Sequence, residues 1–344
     1  MFDRLLRTLT PAVALFGSLT LACAPAQHDV AAVDQPLAQG FPELASPENA
    51  FVWMIEKKGL KPSFLFGTMH AGDERFTKFN DTVKIVFKTA DAVYTELPMD
   101  EMEEIQQALA ASTMLPADKS LADYVDADVL ADFHTIVGEY GYPPEVTDRF
   151  RPVMASMLLQ QLPLLKRYGA AKALDEKIYM AAKRAGKEVG GVEFVEEQLA
   201  AFNVLSDEEA GQAMRKAVKL TMEDRKTGRD RINELVYFYL LGDEKQINNY
   251  LLEDYDANDP LDVRFMDALL TKRNVVMAER VAKMTKENPE KVYVFAFGTL
   301  HFVGSDSVVT MLREQGYKVT RLTAPKATDE AGNTSGEPTK AVKY

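Results

Sequence analysis

The sequence predicts an α/β protein: a central mixed sheet made of two related β-α-β pieces, with a large all-helical insertion between them. An apolar, aromatic-rich run at residues 63–66 is followed by a Gly-Thr-x-His tetrapeptide at 67–70, and both return at 292–297 and 298–301. Each copy precedes an amphipathic helical stretch and a second short strand. The residues between the copies have the spacing of helices. A duplicated strand, turn and helix on either side of a helical region is typical of the α/β class.

The elements around the first copy follow from hydrophobic patterning. Residues 51–55 and 63–66 flank the lysine-rich segment 57–62, which predicts a β-hairpin. Residues 77–90 place Phe79, Val83, Val86 and Phe87 on one face, which predicts a helix packed on the sheet. Residues 92–97 are the next predicted strand, with Glu96 at its end.

The middle of the chain, residues 99–288, forms the predicted helical insertion. Apolar residues recur there at three- and four-residue intervals, and Ser206 begins a capping box three residues before Glu209. Residues 187–193 interrupt the pattern as a short strand or turn, which predicts a brief return to the sheet near Glu193. Residues 271–286 form the last helix before the second copy, and 317–322 form the closing strand.

The termini are predicted to lie outside the folded domain, which we place at residues 48–323. Residues 1–23 resemble an export signal with Arg4 and Arg7 ahead of an apolar core. Cys23, the only cysteine, stands where a bacterial lipoprotein is cleaved and acylated, although Thr20 replaces the usual leucine. Soluble secretion and an uncleaved anchor are the alternatives. Residues 24–47 are expected to be a flexible tether, and the polar tail 324–344 to be disordered.

These features predict an exported protein, either periplasmic or held at the membrane by a lipid on Cys23. The balance of 40 Lys and Arg against 52 Asp and Glu gives a net charge of −12, which argues against nucleic acid as a partner. If Cys23 is lipidated or removed, no cysteine remains in the folded part. Disulfides and a cysteine nucleophile are then excluded.

The repeated tetrapeptide suggests a metal site. Glycines such as Gly67 and Gly298 allow a sharp turn and close backbone approach at a strand end. A histidine three residues later projects over the strand ends, where open α/β sheets bind ligands. His70 and His301 could therefore share one divalent metal with Glu96 as an oxygen ligand. Such a site leaves a position for water, whose pKa the metal lowers.

Other interpretations of the same residues compete with this one. A capped turn that carries a surface histidine has the same tetrapeptide, and a carboxylate at a strand end such as Glu96 is often only solvated. The recurrence of the motif favours a site. The threonines Thr68 and Thr299 could orient an imidazole, a water or a substrate from behind. His134, within an amphipathic helix, is expected to be structural, and the tyrosines and methionines to be core.

These residues resemble the TraB/PrgY/GumN family over about residues 50–322. The resemblance is carried by the segment 51–70 with Thr95-Glu96-Leu97, by Ala173-Leu174-Asp175 ahead of Gly186-Lys187, by Gly191-Val192-Glu193 with Gln198, and by Arg273-Asn274 with Met277. It continues in residues 297–304, ending at Gly304, and in the closing Gly316-Tyr317-x-Val319. The sequence departs from the family pattern at Val192, Phe194 and Thr299.

That family is similar to the Tiki metalloproteases and, more distantly, to erythromycin esterase-like and ChaN-like proteins. The resemblance implies an α/β fold in which both Gly-x-x-His motifs meet at a metal-dependent hydrolytic site. It implies His70, His301 and Glu96 as metal ligands, and Glu193 or Glu96 as general base. Arg273 would stabilise an oxyanion.

Further positions are implied to bind substrate at the same site. Asn274 would orient substrate or a ligand. The motif residues Gly67, Thr68, Gly298 and Thr299, together with Gly304, would line the substrate side.

The leading hypothesis is an exported metal-dependent hydrolase that cleaves a peptide or another small acyl substrate, with Zn, Mn or Co as the divalent ion. The ChaN likeness permits a second class, a haem- or metal-binding envelope lipoprotein without hydrolytic activity. A third is a non-catalytic accessory of polysaccharide export. Loss of activity with a chelator and with His70→Ala distinguishes the first from the others.

Overall fold

Six strands form one mixed sheet in the computed structural model of the chain, which describes residues 13–14, 18–19, 41–101, 105, 112–169 and 171–323. The strands are β1 (Val52–Glu56), β2 (Ser63–Thr68), β3 (Ala92–Thr95), β4 (Glu188–Gly191), β5 (Tyr293–Gly298) and β6 (Lys318–Arg321). Separately, Val13–Ala14 pairs with Ser18–Leu19 in an antiparallel two-residue ladder.

The strand order across the sheet is β4-β3-β5-β2-β1-β6. Strand β5 pairs parallel with β2 and with β3, and β3 pairs parallel with β4. Strand β1 forms a hairpin with β2 and therefore pairs antiparallel with it. On its other side, β1 pairs antiparallel with β6. Both motif strands therefore lie at the centre of the sheet, where β2 and β5 are direct neighbours.

The helix after the first motif, α1 (Asp81–Thr89), begins at Asn80, whose side chain accepts a hydrogen bond from the backbone N–H of Val83. Its apolar face packs on β2, where the ring of Phe66 meets those of Phe79 and Phe87 edge-on at 5.7 and 5.1 Å between centroids. The predicted amphipathic helix is thus present and shorter than residues 77–90. Residues Glu74–Thr77 form a 3-10 turn ahead of it.

The remaining described helices are numerous and vary in length. They are α2 (Ala127–Gly138), α3 (Pro144–Thr147), α4 (Pro152–Tyr168), α5 (Leu174–Arg184), α6 (Val195–Phe202), α7 (Asp207–Thr227), α8 (Arg231–Leu241), α9 (Glu244–Leu252), α10 (Pro260–Met266), α11 (Lys272–Glu287) and α12 (Val308–Glu314). A π-helical turn at Asp267–Thr271 joins α10 to α11, and short 3-10 turns lie at Leu121–Asp123 and Thr299–His301. Among the described residues, no helix is long and apolar enough to cross a membrane.

Buried apolar side chains form two separate cores. The first is built on the sheet and includes Trp53 and Phe295 together with residues of α5, α8, α9, α11 and α12. The second lies within the helical region and joins α2, α4, α6 and α7 around side chains such as Phe133, Phe150 and Met214. The helical stretch between the two motifs therefore divides: its earlier helices build their own core, and its later helices cover the sheet.

The fold class predicted from the sequence is confirmed, including the mixed sheet and the hairpin that opens it. The interruption at 187–193 is a strand, β4, which pairs with β3 at the edge of the sheet. The last residues of the expected tether are in contact with the domain: the ring of Phe41 lies 4.6 Å from that of Tyr237 between centroids, tilted by 36°. An aromatic side chain in that segment gains more by packing on α8 than by remaining solvated. The predicted tail lies outside the described residues, as does most of the predicted signal and tether.

Candidate active site

The two Gly-Thr-x-His motifs meet where the strand connections change direction. Strands β2 and β5 are adjacent and parallel, with Thr68 opposite Gly298. From β2 the chain crosses by α1 to β3 on one side, whereas from β5 it crosses by α12 to β6 on the other. The carboxyl ends of two such strands form a crevice at a topological switch point, the usual ligand site of open α/β sheets.

Glu96 lies at the centre of this crevice, directly after β3, and is 4% exposed. Its Oε1 atom accepts a hydrogen bond from the backbone N–H of Gly298 at 2.7 Å. The Nε2 atoms of His70 and His301 each lie 3.7 Å from the same oxygen. The two Nε2 atoms are therefore no farther apart than twice that distance, although the histidines are separated by 231 positions in the sequence.

His301 is held with its Nε2 lone pair toward Glu96. Its Nδ1–H donates to Oδ1 of Asn274 at 2.6 Å, while Nδ2 of Asn274 donates to the carbonyl of Asp306 at 2.7 Å. That carbonyl can only accept, so it fixes the amide orientation, and the amide oxygen in turn fixes the proton on Nδ1. Burial lowers the pKa of His301 to about 3, against the attraction of Glu96, so its ring is neutral.

His70 has a carboxylate where His301 has an amide. Its Nδ1 lies 3.3 Å from Oδ2 of Asp175, which is in the first turn of α5 and 3% exposed. Burial opposes a charge on His70, but Asp175 and Glu96 outweigh it and raise the pKa of the imidazole to about 10. The side chain of His70 is 20% exposed, against 5% for Glu96 and His301, so the site opens to solvent over His70.

Arg273 neutralises the carboxylates behind the histidines. Its Nη2 lies 2.8 Å from Oε2 of Glu96 and 2.6 Å from Oε2 of Glu193, and its Nε lies 2.8 Å from Oε1 of Glu193. Its Nη1 donates to the carbonyl of Leu269 at 3.1 Å. Four of the five guanidinium N–H groups are thereby engaged. Gln198 completes the cluster by donating to Oε2 of Glu193 at 2.9 Å.

The pKa values of the two carboxylates that share Arg273 are shifted in opposite directions. Burial acts against the charge on Glu96, yet His301, His70 and Arg273 together hold its pKa well below the usual range. Burial raises the pKa of Glu193, although the hydrogen bond from Arg273 opposes this. Glu96 is thus the ionised carboxylate that faces the histidines, and Glu193 contacts the site through Arg273.

The motif glycines are needed for space. Neither Gly67 nor Gly298 has a positive φ angle, so the sharp-turn explanation does not apply. A Cβ atom on Gly298 would lie 3.0 Å from Nε2 of His70 and 3.2 Å from Oε1 of Glu96. A Cβ atom on Gly67 would lie 2.7 Å from the Cβ of Phe51. The second glycine therefore keeps open the volume between the polar groups of the crevice.

The remaining residues expected at the substrate side take structural places. Thr299 donates through Oγ1 to the carbonyl of Thr68 at 2.8 Å, which joins the two motifs behind the histidines. Neither threonine has a hydrogen bond to an imidazole within the described residues, and the buried hydroxyl of Thr68 has no hydrogen-bond partner there. That the threonines orient a ring or a bound water stays a prediction. Asp175 and Asn274 are the residues that contact the imidazoles. Gly304 has φ +86° in the turn after His301 and faces Asn248 of α9.

His134 lies away from this cluster in sequence and pairs with Asp148 at 2.5 Å between Nε2 and Oδ1. It sits on α2, whose apolar side chains belong to the helical core. The structural interpretation made from the sequence is consistent with this contact.

The donor set of the crevice fits a divalent cation. Both Nε2 atoms face one carboxylate oxygen, and each Nδ1 is partnered, an arrangement that metal-ligating histidines have. Ligand atoms about 2.1 Å from a tetrahedral ion are ~3.4 Å apart, and the observed separations are 3.7 Å. Within the described part of the chain no group of three or more His, Cys, Asp or Glu side chains is placed so that it could hold a metal ion. To bind one, each Nε2 atom would have to come a few tenths of an ångström closer to Oε1 of Glu96, and the two imidazoles would have to adjust to each other.

Sequence reasoning missed two residues of this site. Asp175 and Gln198 appeared only as parts of a resemblance, with no role. An acidic residue in the first turn of a helix is common for reasons of helix capping and dipole, so Asp175 carries no local signal of function. Only the packing of α5 against β3 and β4 brings it to His70.

Comparison with known proteins places these observations in context. The sequence model described as the TraB/PrgY/gumN family matches residues 51–321. The chain is 27% identical to "Metalloprotease TIKI2" of Xenopus tropicalis over 89% of this chain and 67% of that protein. It is likewise 27% identical to "Metalloprotease TIKI1" of Homo sapiens, over 86% and 67%. An "Uncharacterized protein" of Treponema pallidum is 23% identical over 80% of this chain and 83% of its own length.

The chain spans about two thirds of the length of the animal relatives, and 63% in the case of the Danio rerio TIKI1 protein. No solved structure matches the chain.

Proposed function

This chain belongs to the TraB/PrgY/gumN family, and on that premise we propose that it is a metal-dependent hydrolase that cleaves peptide or other acyl bonds. The observation that carries the proposal is the convergence of two oriented Nε2 atoms on one ionised carboxylate oxygen of Glu96 at a switch-point crevice. The names of the TIKI relatives, which call them metalloproteases, support the same class of reaction.

His70, His301 and Glu96 are the residues proposed to hold a divalent ion of the Zn, Mn or Co type. When bound, the ion would supply a Lewis acid and lower the pKa of water toward neutrality. His301 is neutral and oriented for this by Asn274. The backbone N–H of Gly298 holds Oε1 of Glu96 in place from the other side.

Glu96 would bind the ion through Oε1, and its Oε2 is engaged by Arg273, so Glu96 would act as a ligand and the bound ion itself would favour deprotonation of the attacking water. Glu193 keeps a different part in this proposal. Both of its oxygens are bound to Arg273, and Arg273 in turn fixes Oε2 of Glu96. We therefore propose that Glu193 and Arg273 position Glu96, and that the second N–H on Nη1 of Arg273, which has no partner among the described residues, is the group left for an oxyanion.

Substrate enters this proposal from the side of His70, where the crevice is exposed. The composition of the chain, with a net charge of −12, makes a peptide or small acyl compound a better partner than a polyanion. Export and a lipid on Cys23 remain proposals from the N-terminal sequence.

The test is hydrolysis of a peptide and ester library by protein purified without a histidine tag. We expect activity that falls at least tenfold with a chelator and returns on adding Zn²⁺, Mn²⁺ or Co²⁺ alone. His70→Ala and His301→Ala should abolish it, and His134→Ala, whose side chain pairs with Asp148, is the matched control. Undiminished activity in chelator and in both motif variants would reject the proposal.

A further inference from the structure

We propose that Asp175 is a positioning residue of the active site, and that its carboxylate turns the imidazole of His70 so that Nε2 faces the metal position. This inference rests on the function proposed above and adds a residue that acts through His70. The primary contact is 3.3 Å between Oδ2 of Asp175 and Nδ1 of His70, across 105 positions of sequence.

His70 depends on this contact more than His301 depends on Asn274. The ring of His301 is 5% exposed, and the packing around it restricts its rotation. The ring of His70 is 20% exposed at the mouth of the crevice, where side chains are freer to change rotamer. Its other polar neighbour, Glu96, is 3.7 Å away, beyond hydrogen-bond length. Asp175 therefore supplies the hydrogen bond that defines the ring orientation.

The environment of Asp175 is unfavourable for the stability of the fold. The residue is 3% exposed, and its Oδ1 has no hydrogen-bond partner among the described residues. A buried carboxylate oxygen without a partner costs free energy. Glu176, the next residue, offers the contrast: its carboxylate pairs with Lys172, which lies just before the helix. A favourable interaction with the helix dipole is available to both residues, and only Asp175 reaches a histidine.

The chemistry that follows is specific to a carboxylate. A carboxylate that accepts the Nδ1–H of an imidazole increases the basicity of the opposite nitrogen and fixes the tautomer. His301 receives an amide oxygen instead. The two histidines are therefore unequal donors, with His70 the stronger one at the open side of the site.

The experiment is isothermal titration of the full chain with Zn²⁺ alone and with Mn²⁺ alone. Asp175→Ala should bind 10–100-fold more weakly than the unmodified protein, which is the range seen when such partners are removed. Asp175→Asn keeps an oxygen that can accept the Nδ1–H, as Asn274 does for His301, and should recover part of the loss. Glu176→Gln should bind like the unmodified protein. Circular dichroism confirms that each variant is folded.

The outcomes separate this inference from the proposed function. If the unmodified protein binds the ion, His70→Ala weakens binding and Asp175→Ala leaves it unchanged, Asp175 has no positioning role and the metal site stands. If the unmodified protein binds neither ion, the proposed function fails and this inference with it. Should Asp175→Ala not fold, Asp175→Asn decides: affinity equal to that of the unmodified protein overturns the inference, and weaker binding supports it.

Discussion

At the scale of single residues, the site depends on the three groups that lie around Oε1 of Glu96. That oxygen accepts the N–H of Gly298 and faces both Nε2 atoms, while Oε2 of the same carboxylate is bound by Arg273. The carboxylate of Glu96 thus connects the ends of β2 and β5 with the positive charge of Arg273. The space in front of it exists because residue 298 has no side chain.

Replacing Gly298 by alanine should weaken metal binding without unfolding the protein. The φ angle of −50° suits alanine, but the added Cβ would lie 3.0 Å from Nε2 of His70 and 3.2 Å from Oε1 of Glu96. We expect titration with Zn²⁺ to show at least tenfold weaker binding for Gly298→Ala.

Gly138→Ala is the matched control for this variant. Gly138 lies at the end of α2 with nothing within 4 Å of the Cβ position, so alanine there should leave binding unchanged and stabilise the helix by up to ~1 kcal/mol. Equal affinities in the two variants would show that the volume above Gly298 is not the binding site.

Metal binding should release about one proton from His70. Without a cation its pKa is raised to about 10 by Asp175 and Glu96 against the effect of burial, so the ring is protonated at pH 7 and must lose that proton to bind through Nε2. Apparent affinity should therefore rise with pH below about 10. His301, with a pKa of about 3, contributes no proton.

The measurement is calorimetry at pH 7 in two buffers of different ionisation enthalpy. The difference in observed heat gives the number of protons released. His70→Gln should remove the buffer dependence, and a dependence that survives in that variant would assign the proton to another group.

At the scale of elements, the site is assembled from the ends of four strands and from three helices, α5, α6 and α11. Strands β2 and β5 deliver the histidines, and β3 and β4 lead into Glu96 and Glu193. Helix α11 then places two consecutive side chains on different partners: Arg273 on the carboxylates and Asn274 on His301. The helix thereby clamps the edge of the sheet to its centre.

Removing this clamp should destabilise the whole fold. Arg273→Ala leaves Glu96 and Glu193 buried without their shared cation, which typically costs about 3–5 kcal/mol. Arg273→Lys should recover only part of this, because an ammonium cannot form the two-pronged contact. Urea unfolding followed by circular dichroism measures both.

Arg264→Ala is the reference variant for the clamp. Arg264 pairs with Glu209 at 2.5 Å, but its side chain is 45% exposed, so its loss should change the free energy of unfolding by less than about 1 kcal/mol. If Arg273→Ala also lowered the free energy of unfolding by less than about 1 kcal/mol, the buried contacts of Arg273 with Glu96 and Glu193 would not hold the elements together.

At the scale of the whole molecule, two cores share one chain. The helical core contains Leu97, which follows Glu96 directly, and the sheet core contains Leu174, which precedes Asp175. Each core therefore includes a direct sequence neighbour of a crevice residue. The site lies between the two cores, at the carboxyl ends of the central strands.

The prediction for the N-terminal segment concerns Cys23. If this cysteine carries a lipid, Cys23→Ser should move the protein from the membrane fraction to the soluble fraction, since each buried CH₂ of an acyl chain contributes ~0.8 kcal/mol. Fractionation after labelling with a radioactive fatty acid checks both the location and the modification. Ala24→Ser is the control. An unlabelled protein in the soluble fraction before any substitution would contradict lipidation.

The sequence by itself determined the fold class and the two histidines. Strand periodicity, the hairpin and the duplicated Gly-Thr-x-His are local patterns, and a local pattern is readable without knowing what packs against it. The helix of residues 81–89 and the strand at 188–191 were recognisable for the same reason.

Only the tertiary structure decided which atoms face one another. It placed Asp175 on His70 and used Arg273 to hold two carboxylates. It also showed that Gly298 provides volume and not a turn. Such contacts join residues about 80 to 230 positions apart, so no window of sequence contains both partners. Packing between helices and strands sets the orientation of the side chains at the site. That packing cannot be read from a local stretch of the sequence.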